Sequence, residues 1–300
     1  MLSNRAFLVI TTAFAPAVWG TTYLATTAFL PSGHPMLTAT IRALPAGLVL
    51  LAIARRLPTG SWWWRSAVLG SLNIGFFFAC LFVAAQRLPG GVAAVVGGIQ
   101  PLIVAVLGWR LLAEHLSPVA VAAGVGGAIG VGLIVLPGGA ALDPIGLAAA
   151  MGGALSMAVG TVLTKRWGGG QPPLALTAWQ LLAGGILLAL LTLAFEPLPS
   201  EPPAPPALAA YAYLTLLGTA LAYVLWFRGV RRLPTRVPAF LGLLSPVVAI
   251  LLGILVAGES LAAPQVVGLA LVLGSVTAVI ADGGRRNVPP VGLEPTLKRF

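Results

Sequence analysis

The chain has 300 residues, of which 58% are hydrophobic and 8% charged, with mean hydropathy +0.99 and a formal net charge of +10. A soluble domain carries about a quarter charged residues to wet its surface, so this composition excludes a soluble domain of any size and makes lipid the solvent for most of the chain. The basic residues lie between apolar runs, which reads as membrane topology and leaves no nucleic-acid partner.

A span needs about 20 apolar residues to cross roughly 30 Å of hydrocarbon. Apolar runs fall in chain order at 7–29, 34–54, 66–86, 90–111, 118–136, 145–164, 173–195, 208–227, 237–257 and 264–281. Turn chemistry separates them, as in "LPSGHP", "RRLPTGSWWW", "LPGGAALDP" and "EPLPSEPPAPP". The first run reads as a span, not a cleaved signal peptide. In this ten-span arrangement Arg5, Arg55, Arg56, Arg65, Arg110, Lys165, Arg166, Arg228, Arg231, Arg232, Arg236, Arg285 and Arg286 share one side. Asp143, Glu196, Glu201, Glu259 and the exception Arg87 lie on the other. The positive-inside rule then puts both termini in the cytoplasm. The polar stretch 285–300 reads as a disordered tail. Cys80, the only cysteine, lies in an apolar run and reads as a core residue.

The second half repeats the first. "RLPGGVAAVVGGIQPLIVAVLGWRLLAEHL" from Arg87 overlays "RLPTRVPAFLGLLSPVVAILLGILVAGESL" from Arg232 without a gap, pairing Pro89 with Pro234, Gly97 with Gly242, Pro101 with Pro246 and Glu114 with Glu259. Upstream, Gly20 pairs with Gly160, Thr21 with Thr161, Arg42 with Gln180 and Gly47 with Gly185. The expected organisation is therefore all-α and integral to the membrane. Ten transmembrane helices form two inverted five-helix repeats, 1–140 and 141–284, because an odd span count makes the second copy enter from the opposite side. Inverted repeats are typical of secondary transporters with a midplane site.

The motifs "AVWGTTYLA", "PMLTATIRALPAGLVLLA" and "PLIVAVLGWRLLAEHLSPVAVAAGVGGAIGVGLIV", with the later copy "SPVVAILLGILVAGESLAAPQVVGLALVLGSV", resemble the drug/metabolite transporter superfamily and its ten-helix EamA-type branch. The resemblance runs to about residue 281 and implies a multi-pass protein of the bacterial inner membrane that exports amino acids or related metabolites. Similarity to the aromatic amino-acid exporters of that branch favours aromatic or hydrophobic substrates. The first span lacks the buried glutamate of the small multidrug-resistance relatives. Only Arg42 offers a cation away from the span ends, which suits a zwitterionic or neutral substrate better than a sugar phosphate.

Prolines within a span remove a hydrogen bond and crowd the carbonyl four residues back. Gly97, Pro101, Gly242 and Pro246 are therefore the candidate hinges, with Gln100 and Ser245 as polar groups beside the breaks, and a packing kink as the alternative. Trp19, Thr22 and Tyr23 share a face of the first span, and Asn73, Phe76, Phe77 and Cys80 a stripe on the third. Ser156, Met157, Thr161, Tyr223 and Trp226 extend the set, although aromatic stripes at helical spacing often only pack. Arg42 either binds a substrate carboxylate or bonds helix carbonyls. The candidate substrate-binding set is thus Trp19, Thr22, Tyr23, Arg42, Asn73, Phe77, Gln100, Ser156, Tyr223 and Ser245.

Glu114 and Glu259 read as caps or gates at span ends. Small residues four apart, Gly126 and Gly130 in the fifth span and Ala270, Gly274 and Ala278 in the tenth, predict close packing of those two helices. A monomer is favoured, with a dimer through these stripes as the alternative. No Asp or Glu lies in mid-span and both histidines sit at span ends, which argues against obligatory proton antiport. No HExxH, GxSxG or Walker motif marks an intramembrane enzyme, and no cofactor or metal is expected.

Overall fold

A computed structural model describes residues 2–31, 33–88, 96–135, 143–199, 201–257 and 262–285. Every regular element among them is helical: α1 (Leu2–Phe29), α2 (Pro35–Ala54), α3 (Trp62–Gly70), α4 (Phe76–Arg87), α5 (Gln100–Leu112), α6 (Pro118–Val135), α7 (Pro144–Trp167), α8 (Pro173–Phe195), α9 (Pro205–Thr215), α10 (Ala222–Arg232), α11 (Arg236–Leu241), α12 (Leu244–Ala257) and α13 (Ala263–Arg285). A π-helical turn at Ser71–Gly75 joins α3 to α4, and another at Leu216–Leu221 joins α9 to α10. Among the described residues eight stretches are long and apolar enough to cross a membrane, and the apolar helices Gln100–Leu112 and Pro118–Ile134 are shorter. The protein is an all-helical, multi-span membrane protein. The expected tail beyond Arg285, the first part of the expected 90–111 span and Glu259 lie outside the described residues.

Helix starts follow local chemistry. Proline occupies the first turn of α2, α5, α7, α8 and α9, where its missing N–H costs nothing. Asp143 caps α7 by accepting from the Gly146 N–H at 2.7 Å. The two carboxylate oxygens of Glu196 accept from the Met36 and Leu37 N–H groups at 2.6 and 2.9 Å, so the end of α8 caps the start of α2.

The surface is inside-out relative to a soluble protein. Leu255, Phe195, Leu193 and Ile10 are all largely exposed, as a lipid-facing belt requires. Trp63, Trp64 and Trp109 are also exposed. The Arg65 guanidinium lies 5.6 Å from the rings of Trp62 and Trp64, and that of Arg110 lies 4.6 Å from Trp109, forming an aromatic–basic belt suited to the membrane–water boundary.

The interhelical contacts come in matched twos. Helix α2 packs on α8, and α6 on α13. The α4–α7 and α5–α7 contacts have counterparts in α10–α1 and α12–α1. The matching extends to single residues. A methyl placed on Gly47 would lie 2.8 Å from Leu182 Cγ, and one on Gly185 would lie 2.8 Å from Leu44 Cγ. Both positions need glycine for the helices to approach.

The expected contact of the fifth and tenth spans forms, but through a shifted stripe. Gly130 and Gly268 face each other's carbonyl oxygens, and a methyl on Gly130 would sit 2.8 Å from Gly268 O. Gly126 lies by Ser275, whereas nothing lies within 4 Å of the point where a Gly274 methyl would be. Gly274 is therefore not part of the seam. Gly268 and Val272 carry the inward face, two positions before the expected Ala270 and Gly274.

Candidate functional site

The two π-helical turns decide where polar groups meet inside the bundle. A π turn displaces one carbonyl from the regular ladder, and such a carbonyl in the membrane needs another donor. Trp19 Nε1 on α1 donates to Gly218 O at 3.0 Å. Ser156 Oγ on α7 donates to Leu72 O at 2.8 Å.

Arg42 is 7% exposed. Its Nε reaches Thr219 Oγ1 at 3.4 Å, and its guanidinium lies 5.7 Å from the centre of the Phe78 ring. Among the described residues no acidic side chain pairs with it. The neighbouring wall is aromatic. Trp19 stands 5.0 Å from Tyr223 and 5.2 Å from Trp226, measured between ring centres, while Tyr223 stands 5.5 Å from Phe227 and Phe77 5.5 Å from Phe78. Trp226 is buried, yet its indole N–H has no partner among the described residues. Trp226 also lies 3.9 Å from the point a Gly242 methyl would occupy, which brings the break between α11 and α12 to the edge of the cluster.

The structure thus gathers Trp19, Arg42 and Tyr223, from three different spans, around the second π turn, with Phe78 against Arg42; among the described residues the ring contact of Phe77 is with Phe78. Thr22 is partly buried, and its hydroxyl has no partner among the described residues. Tyr23's side chain lies outside the described residues. Asn73 sits elsewhere, fully buried at the first π turn. Its Nδ2 donates to Thr164 Oγ1 at 3.0 Å and to Gln180 Oε1 at 2.8 Å. Ser156 is spent on the Leu72 carbonyl. Gln100 begins α5 and makes no side-chain hydrogen bond among the described residues.

The hinge residues need one correction. Proline breaks within continuous spans were expected to free the carbonyls of Gly97 and Gly242 for protein, water or ligand to satisfy. Instead α5 starts at Gln100, so Pro101 stands in its first turn, and Pro246 stands in the first turn of α12. The Gly242 carbonyl is taken by the Ser245 N–H at 3.2 Å in a tight turn. The chain breaks the helix before each proline, which avoids the clash instead of enduring it. The Ser245 carbonyl packs against α1, where a methyl on Gly20 would lie 2.6 Å from it.

Thr219 and Gly218, central to the cluster, carry no polar or aromatic pattern that a sequence reading would select. The pairing of Arg42 with Gln180 was the usable signal, since both residues reach a π turn.

At the arginine-bearing end a second polar cluster ties four elements together. Glu114 accepts from Lys165 Nζ at 2.6 Å, from Thr235 Oγ1 at 2.7 Å and from the Thr235 N–H at 3.0 Å. Lys165 also donates to Leu233 O at 2.6 Å. Beside them Arg236 lies 3.7 Å from Asp282, which accepts from Ser117 Oγ at 2.7 Å.

The chain is 45% identical over 268 residues to Protein PecM of Dickeya dadantii, a match covering 89% of this chain and 90% of that one. It is 28% identical over 271 residues to the uncharacterized inner membrane transporter YedA of Escherichia coli, covering 87% of each. It is also 28% identical over 281 residues to the uncharacterized transporter sll0355 of Synechocystis, covering 86% and 85%. A solved crystal structure at 24% identity shares the fold with a TM-score of 0.81, covering 94% of this chain and 99% of that chain. The protein is a multi-pass transporter of the bacterial inner membrane and not an enzyme. The pattern of the EamA-like transporter family matches residues 6–136 and again 144–281, and the chain belongs to that family.

Proposed function

We propose that the protein exports small zwitterionic or neutral metabolites, amino acids with aromatic or hydrophobic side chains foremost, by alternating access between two inverted five-helix repeats whose termini are cytoplasmic. The observation that carries this reading is Arg42, a cation 7% exposed at membrane depth with no carboxylate paired to it among the described residues. A buried charge in hydrocarbon is costly until an anion faces it. A substrate carboxylate supplies that anion, while Trp19, Tyr223 and Trp226 offer a wall for an apolar side chain. The unpartnered Trp226 N–H is a further donor to a ligand oxygen. The doubled family match and the matched helix contacts support the repeats. The absence of Asp and Glu from mid-span supports movement down the substrate gradient over obligatory proton exchange.

Flux in proteoliposomes against a panel of radiolabelled amino acids tests this reading. Wild-type protein moves aromatic or aliphatic amino acids in preference to their amides. Arg42→Gln lowers that flux at least about tenfold, the scale of losing one desolvated charge contact. Equal flux of acids and amides, unchanged in Arg42→Gln, would remove amino acids as the substrate class and leave other metabolites or drugs. pH-driven accumulation would overturn the gradient-driven reading.

A further inference from the structure

A cavity of about 450 Å³ opens between the start of α1 and the end of α10, and nothing in the transport cycle requires it. Asn4, Arg5, Phe7, Leu8, Arg228, Arg232, Leu233 and Pro234 line it. Of these eight described lining residues three are arginines and none is acidic. Arg228 and Arg232 stand one helical turn apart on the same face, a spacing at which like charges repel, and neither is in an ion pair among the described residues. Arg5 reaches across from α1, where its guanidinium lies 3.5 Å from the Ile280 carbonyl. Arg228 and Arg232, held one turn apart with no ion pair among the described residues, gain stability when an anion joins them.

The other wall of the cavity fits the same occupant. Phe7 is largely exposed on the outer surface, and Leu8, Leu233 and Pro234 continue an apolar lining inward. A ligand with an anionic head and an apolar body meets both surfaces at once. The cavity also lies at the arginine-bearing end of the bundle. Basic pockets between transmembrane helices at that boundary hold anionic headgroups, each arginine contributing about 1 kcal/mol.

We propose that this cavity is a binding site for a phosphate-bearing anion, its source being the phosphodiester headgroup of an anionic phospholipid. Arg228 and Arg232 clamp the phosphate oxygens, Arg5 and Asn4 close the opposite side, and the acyl chains leave along Phe7 and Leu8. The site is separate from Arg42 and does not depend on the substrate. Its occupant bridges α1 and α10, the two elements that carry Trp19 and Tyr223, and so braces the seam beside the aromatic cluster.

Native mass spectrometry of the detergent-purified full chain, with phosphatidylglycerol, phosphatidylcholine or inorganic phosphate added, reads the site directly. Wild-type protein retains phosphatidylglycerol and releases phosphatidylcholine. Arg228→Gln with Arg232→Gln weakens phosphatidylglycerol binding about 30-fold, the loss of two headgroup contacts. Arg110→Gln with Arg166→Gln removes the same charge at the same end and leaves binding intact. Arg228→Lys with Arg232→Lys, which keeps the charge, restores most of it, and an unchanged melting temperature of the glutamine variant shows that it is folded. Equal weakening in the Arg110 and Arg166 variant would overturn the site, because it would show attraction by bulk charge alone. Binding of inorganic phosphate that depends on Arg228 and Arg232, with no lipid retained, would keep the phosphate site and overturn the lipid source. These readouts need no flux, so they stand or fall apart from the proposed substrate.

Discussion

Glu114→Gln tests whether the polar cluster at the arginine-bearing end is a gate. The carboxylate takes Lys165 Nζ at 2.6 Å and both donors of Thr235, at 2.7 Å from Oγ1 and 3.0 Å from the backbone N–H. Glutamine has one oxygen for these donors, and its own amide hydrogens point at an ammonium or an N–H. Lys165 then keeps only the Leu233 carbonyl. Breaking a fully buried pair costs about 3–5 kcal/mol. The two side chains here are 23% and 18% exposed, so solvent screening brings the figure to about 2 kcal/mol. That energy is lost from the closed arrangement alone if the loop after α5 separates from the loop after α10 on opening. The open fraction then rises about 30-fold relative to wild type. Spin labels at Arg110 and Arg232 in a Cys80→Ala background measure the separation by double electron–electron resonance. The expected result is a new longer-distance component in Glu114→Gln that shrinks in Glu114→Lys with Lys165→Glu. A drop in melting temperature with an unchanged distance distribution would refute the gate and leave Glu114 as a fixed brace.

The α6–α13 seam makes a simpler prediction. Gly268→Val forces a branched side chain against the Gly130 carbonyl, and thermal unfolding in detergent is expected to show a loss of several kcal/mol, roughly the upper range for overpacking; Gly274→Val, facing open space, leaves the midpoint unchanged. The helix breaks supply another. Pro101→Ala with Pro246→Ala restores an N–H to the first turn of α5 and of α12, and flux in proteoliposomes is expected to fall while the protein stays folded by circular dichroism. Wild-type flux in that double variant would show that the breaks serve packing alone.

The spans were legible because lipid imposes a coarse rule on them: a run of apolar residues bounded by Pro, Gly or charge has few alternatives. Thus 173–195 coincides with α8, and 34–54 lies within one residue of α2. The π turns were not legible, since "SLNIG" and "LLGTAL" hold no residue that marks the change of pitch. Those turns are what bring Gly218 and Thr219 beside Arg42, so the site could be drawn only in part. The helical wheel put Asn73 and Phe77 on one stripe, but the π turn between Ser71 and Gly75 rotates Asn73 into the α7–α8 packing. Trp19 and Tyr223 were visible as aromatic residues; their contact was not, because it joins the first span to the eighth.

On the proposed repeat, the two π turns are equivalent, and their difference explains why one hosts the candidate site. The register that sets Arg87 on Arg232 also sets Asn73 on Gly218 and Phe78 on Tyr223, and the upstream register sets Gln180 on Arg42. At the first turn the group from α8 is a neutral amide, Gln180, and the turn supplies Asn73 to meet it. Thr164 joins the network with an Asn73 bond of 3.0 Å; Asn73 Oδ1 has no partner among the described residues, but no charge is left to neutralise. At the second turn the group from α2 is a guanidinium, and the turn supplies glycine where the other copy has asparagine. Gly218 offers no side chain to Arg42, only a carbonyl that Trp19 already occupies. One copy is therefore neutral and bonded among its own side chains, while the other keeps a cation, an indole N–H and an aromatic wall without an acidic partner among the described residues. A duplicated fold provides two such positions, and substitution at Asn73/Gly218 and Gln180/Arg42 is enough to make one structural and leave the other for a ligand.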